Sequence, residues 1–135
     1  MQQSPFTVML RNAMFHRVEL AARDKWHVLG ELEARVAELT DPPQRVVMDA
    51  RAWNESLGEY YDVHDSIATD QTARSPAHLQ IHKAAGRWRL RQVVVDPAGD
   101  LDWGITAEVD LLASDESGAP VLTVLSFGCS LGSND

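Results

Sequence analysis

The stretch VDPAGDLDWGITAEVD, residues 95–110, sets five carboxylates around Trp103: Asp96, Asp100, Asp102, Glu108 and Asp110. Carboxylates at such density could hold a cation or share acid–base work. A calcium loop, however, needs a denser run of oxygen ligands and, in its helix–loop–helix form, a closing glutamate. That pattern is absent. Pro97 and Gly99 instead suit a turn, since proline presets φ and glycine permits positive φ. A hairpin closed at residues 96–101 sets Arg91 opposite Thr106, Arg89 opposite Glu108 and Arg87 opposite Asp110. The same register faces Trp88 with Val109 and Leu90 with Ala107. Opposed unlike charges contribute about 0.2–1 kcal/mol each and resist register slips. The expectation is a charged hairpin ladder whose carboxylates are structural, with no metal site.

His64 is the other candidate. It continues a stripe of Trp53, Leu57, Tyr60 and Ile67, with Asp62 and Asp65 beside it. A pocket histidine near a carboxylate can act as a general base, whereas on a packed stripe it is a hydrogen-bonded core residue. Successive helical side chains diverge by about 100°, so His64 and Asp65 form no dyad unless the helix ends there. His16, His27, His78 and His82 show no metal-ligand spacing, and one cysteine, Cys129, allows neither an internal disulfide nor a cysteine-rich zinc site. There is no glycine-rich phosphate loop or Walker-type stretch. No cofactor and no metal are expected, no catalytic residue is assigned beyond the candidate His64, and the balance is against an enzyme.

These residues must be positioned by a chain of 135 residues that is 44% hydrophobic, the size of a single domain. Ser4 caps and Pro5 opens a long helix over 4–40, followed through Leu10, Met14, Val18, Ala21, Leu29, Leu32 and Val36 at the helical period. Gly30 is its weak point, where it bends or splits, and Pro42 with Pro43 ends it. Asp49 caps a second helix over 50–67. The period then changes to two, and strands in HLQIHK, RWRLRQVVV, WGITAEVDLL and VLTVLSF make an antiparallel meander over 78–127. SDESGAP reads as a turn and residues 69–76 as a loop. The LGSND tail follows as the end of the domain. The fold class expected is α+β, N-terminal helices packed on a curved antiparallel four-stranded meander.

The net charge is −8, which argues against autonomous binding of DNA or RNA, since that affinity comes from Lys and Arg on phosphates. Residues 1–30 carry only a mild basic excess from Arg11, Arg17, Arg23 and Lys25. The N-terminus does not read as a signal peptide and no apolar run spans a bilayer, so a cytoplasmic domain with no membrane contact is expected.

The segments LRNAMFHRVELAARDKW, WNESLGEYYDVHDSI and RWRLRQVVVDPAGDLDWGITAEVDL together resemble the extreme C-terminal region of actinobacterial DEAD/DEAH-box helicase-like proteins, a domain of unknown function (DUF3516). The likeness runs over residues 5–127 and is most specific over residues 96–111. It implies a non-catalytic accessory or protein-interaction domain, attached to or working beside a helicase core, with no motor motif of its own. A homodimer through an open sheet face or edge is a further expectation. The order of elements also resembles the NTF2-like (SnoaL-like) cone. That resemblance implies the alternative, a small-molecule-binding domain or enzyme with His64 in a pocket walled by Trp53, Tyr60, Trp88, Trp103 and Ile105.

Overall fold

A computed structural model describes residues 4–130; residues 1–3 and 131–135, which include the LGSND tail, lie outside it. The elements run α1 (Pro5–Ala22), α2 (Trp26–Ala37), α3 (Ala50–Val63), a 3-10 turn at Pro76–His78, β1 (Leu79–Lys83), β2 (Arg87–Val93), β3 (Trp103–Asp110), α4 (Leu111–Ser117) and β4 (Leu122–Cys129). The class is α+β, and the four strands form one antiparallel sheet in chain order.

The first helical stretch breaks at residues 23–25, not at Gly30. Ser4 caps α1 by accepting from the Thr7 amide at 3.1 Å. At its far end the amides of Asp24 and Lys25 turn back to the carbonyls of Ala21 and Leu20. Asp24 adopts φ 54° to do so, a conformation short polar side chains tolerate. Gly30 lies inside α2 and serves packing. A Cβ there would come within 2.6–2.7 Å of the backbone and Cβ of Ala50, the first residue of α3.

A buried ion pair ties the helices together. Arg17 of α1 and Glu33 of α2 are 2% and 6% exposed. The Arg17 Nη2 and Nε donate to Glu33 at 2.7 and 2.9 Å, and Nη1 donates to the Ala13 carbonyl. Trp53 of α3 adds its indole N–H to Glu33 Oε2 at 3.3 Å. Of the mild basic excess in residues 1–30, Arg17 is therefore inside and unavailable to a phosphate.

The hairpin register is as the charge pattern requires. Arg87 pairs with Asp110, Arg89 with Glu108 and Arg91 with Thr106, while Trp88 and Leu90 face Val109 and Ala107. One sheet face carries Leu90, Ile105, Ala107, Val109, Leu122, Val124 and Phe127 into a core shared with Leu10, Met14, Val18, Leu29, Trp53 and Leu57. A register shift at Thr106/Ala107, opposite Ser126 and Val124, keeps both Val124 and Phe127 buried despite their odd spacing.

Two further elements differ from the pattern in the sequence. SDESGAP is mostly helix: Asp110 caps α4 through the Ala113 amide at 3.0 Å, Ser114 Oγ bridges the Asp110 carbonyl and the Val121 amide, and Gly118 closes it at φ 76°. Helix α3 stops at Val63 instead of residue 67. The Ala68 amide is drawn to the Val95 carbonyl at 3.0 Å, and a continuing helix would forfeit that link to the sheet.

Two stability measurements check this packing. Gly30→Ala gains about 1 kcal/mol of helix propensity, but overpacking costs about 1–3 kcal/mol against immovable backbone, so urea unfolding is expected to show net destabilisation. Glu33→Leu alone strands Arg17 and is expected to cost about 3–5 kcal/mol. Arg17→Met with Glu33→Leu should recover most of that loss.

Candidate functional site

The early end of α3 decides where His64 goes. Its amide still bonds the Tyr60 carbonyl at 2.9 Å, but its backbone is extended at φ −135° and ψ 145°. The ring leaves Asp65 and meets the β2–β3 loop, where Nε2 lies 3.8 Å from Asp96 Oδ2. The candidate base therefore has a carboxylate neighbour, one supplied by the loop that the sequence sets aside as a turn.

Asp96 organises that loop. It is buried at 2% exposure and accepts from the amides of Leu101 at 2.9 Å and Asp100 at 3.1 Å. Leu101 takes φ 59°, a left-handed conformation costing of order 1–3 kcal/mol in a non-glycine residue, and in it donates to Asp96. Burial by itself raises the Asp96 pKa. The backbone N–H groups of Leu101, Asp100 and Asp96, with the nearby His64, outweigh burial and hold the carboxyl below its ordinary value of 3.8.

Asp100 and Asp102 complete the group. One ligating atom from each of His64, Asp100 and Asp102 lies within 4.8 Å of the others. Asp100 is exposed and Asp102 half-buried. The Asp102 Oδ1 atom is buried with no hydrogen-bond donor among the described residues, a condition that costs roughly 1–3 kcal/mol. Its backbone is fixed instead, since the Asp102 carbonyl accepts from the Ser130 amide at 2.7 Å and from Arg91 Nη2 at 3.3 Å. Arg91 also reaches Thr106 and the Gly128 carbonyl. Burial lowers its pKa, with Cys129 opposing.

Of the side chains expected as a pocket wall, Trp53, Tyr60, His64 and Trp103 do come together. Tyr60 lies 5.2 Å from both Trp103 and His64 and 5.8 Å from Phe127, and Trp53 stacks on Phe127 at 5.9 Å. Trp53, Tyr60 and Ile105 are fully buried, so these rings fill the space between α3 and the sheet. Burial, then the charge of Asp96, Tyr61 and Asp102, raises the Tyr60 pKa strongly. It stays protonated and donates to the Ser66 carbonyl at 2.6 Å. Trp88 is elsewhere, edge-on to Phe6 at 5.8 Å and under Lys83 Nζ at 4.7 Å, beside a surface depression of about 260 Å³. The outward sheet face carries a broader trough of about 530 Å³ lined by Gln80, His82, Arg89, Arg91, Thr106 and Ser126 among others.

The model of the family described as "Domain of unknown function (DUF3516)" matches residues 1–127. The chain belongs to that family. No curated protein and no solved structure matches it. In this DUF3516 domain no described helix is long and apolar enough to cross a membrane.

The state of Asp96 gives a pH dependence. A carboxyl whose pKa is depressed on folding contributes stability above its ordinary pKa and loses it as pH falls through the native value. Asp96→Asn is therefore expected to lower the unfolding free energy at neutral pH. The difference from wild type should shrink as pH falls below the ordinary carboxyl value of 3.8 and through the depressed native one, where protonated aspartate resembles asparagine. Urea titrations at neutral and acid pH measure both.

Proposed function

We propose that this chain is a non-catalytic accessory domain that engages a protein partner, a DEAD/DEAH-box helicase-type core to which it is attached or beside which it works. The resemblance of its sequence segments supports the helicase connection; the family match itself carries no function. The observation that carries the choice of a protein partner is the outward sheet face. Two of its arginines are matched to carboxylates, Arg89 to Glu108 at 2.6 Å and Arg87 to Asp110 at 3.6 Å, and Arg91 is committed to Thr106 and to the Asp102 and Gly128 carbonyls. A face that neutralises itself offers phosphates little, because nucleic-acid affinity needs uncommitted positive charge. A mosaic of both signs suits register-specific recognition of another protein surface. Such a domain acts in the cytoplasm, beside its motor.

The reading is tested by titrating the chain into a purified helicase core of this kind by calorimetry while following ATP hydrolysis. Saturable binding that changes the hydrolysis rate is expected. Arg89→Glu, on an exposed side chain, should weaken the interaction by about tenfold. Self-association without motor binding, or tight salt-sensitive binding to single-stranded RNA, overturns the proposal.

A further inference from the structure

We propose that His64, Asp100 and Asp102 form a site for one divalent transition-metal ion, Zn²⁺ being the type case. The inference is independent of the helicase connection. Its first support is convergence from two distant parts of the chain: an imidazole at the end of α3 and two carboxylates from the β2–β3 loop, with ligating atoms within 4.8 Å of one another. A tetrahedral ion with ligands at about 2.0–2.2 Å holds those atoms about 3.4 Å apart. The set closes by side-chain movements of at most about 1.4 Å per pair, and Asp100 is exposed and free of packing.

The second support is the Asp102 carboxylate. Its Oδ1 is buried with no donor among the described residues, and its backbone is held in place by Ser130 and Arg91. Folding this oxygen away from water without a partner is costly, and a cation on the carboxylate supplies the positive charge it lacks. The site also has an outer support, because Asp96 lies 3.8 Å from the His64 ring and its own orientation is fixed by two loop amides. At that distance the carboxylate acts on the imidazole through its charge and not through a hydrogen bond.

The donor set selects the ion. Imidazole with carboxylates suits zinc and its transition-metal neighbours, whereas calcium takes six to eight oxygens and magnesium a nearly octahedral oxygen shell. Three protein ligands leave a position for water.

The test uses the whole chain, titrated with Zn²⁺ by calorimetry and with Co²⁺ by visible absorption, with thermal unfolding alongside. One ion per chain, ligand-field bands of a nitrogen–oxygen set and a raised melting temperature are expected. Asp100→Ala, at an exposed position, and Asp102→Asn should each weaken binding by about tenfold or more. Metal-free Asp102→Asn should be at least as stable as the wild type, since it removes a stranded charge; a purely structural Asp102 would lose stability instead. Binding without a one-to-one endpoint overturns the site. So does undiminished affinity in both variants, which would show ions held diffusely by an acidic surface.

Discussion

Arg17 and Glu33 are the constraint around which the helices are arranged. A charged pair taken out of water is tolerable only when every polar atom finds a partner in good geometry. Here that requires α1 and α2 to cross where the guanidinium meets the carboxylate, and α3 to bring Trp53 to the remaining oxygen lone pair. Apolar contacts would accept small slides of these helices. The ion pair does not, and Gly30 against Ala50 removes the last freedom by letting two backbones touch. Trp53 then faces Phe127, so the arrangement of the helices also determines where the sheet packs.

What could be read from the residues alone follows from how local each determinant is. The β2–β3 register is legible because arginines and carboxylates alternate in both strands, and a turn closed at residues 96–101 selects a pairing that opposes unlike charges while keeping one face apolar. The break after Ala22 was hidden, since the signal is one aspartate in a left-handed conformation while Gly30 is the more obvious weak point. Helix α4 was masked by a composition that reads as turn, though Asp110 before two leucines is a fair capping signal. The end of α3 was decided by a tertiary hydrogen bond, Ala68 to Val95, which no periodicity reveals.

The candidate site shows the same division. The rings of Trp53, Tyr60 and Trp103 lie together because they share the apolar stripe and face. The approach of His64 to Asp96, Asp100 and Asp102 depends on where α3 stops and on a loop folded around one buried carboxylate. Neither is visible in spacing. Carboxylates that sequence treats as turn furniture therefore acquire an imidazole neighbour only in three dimensions.

Strand order that follows chain order has a consequence for how the molecule is made. Each strand pairs with its neighbours in sequence, so the sheet can grow from β1 onward as a succession of short closures. The helical half joins the sheet largely through α2 and α3 against β4, the last of these four strands to leave the ribosome. Until Phe127 emerges, the indole of Trp53 lacks the ring it stacks on. The nascent helices therefore lack the sheet surface that completes their cover until β4 arrives, and that strand acts as the latch.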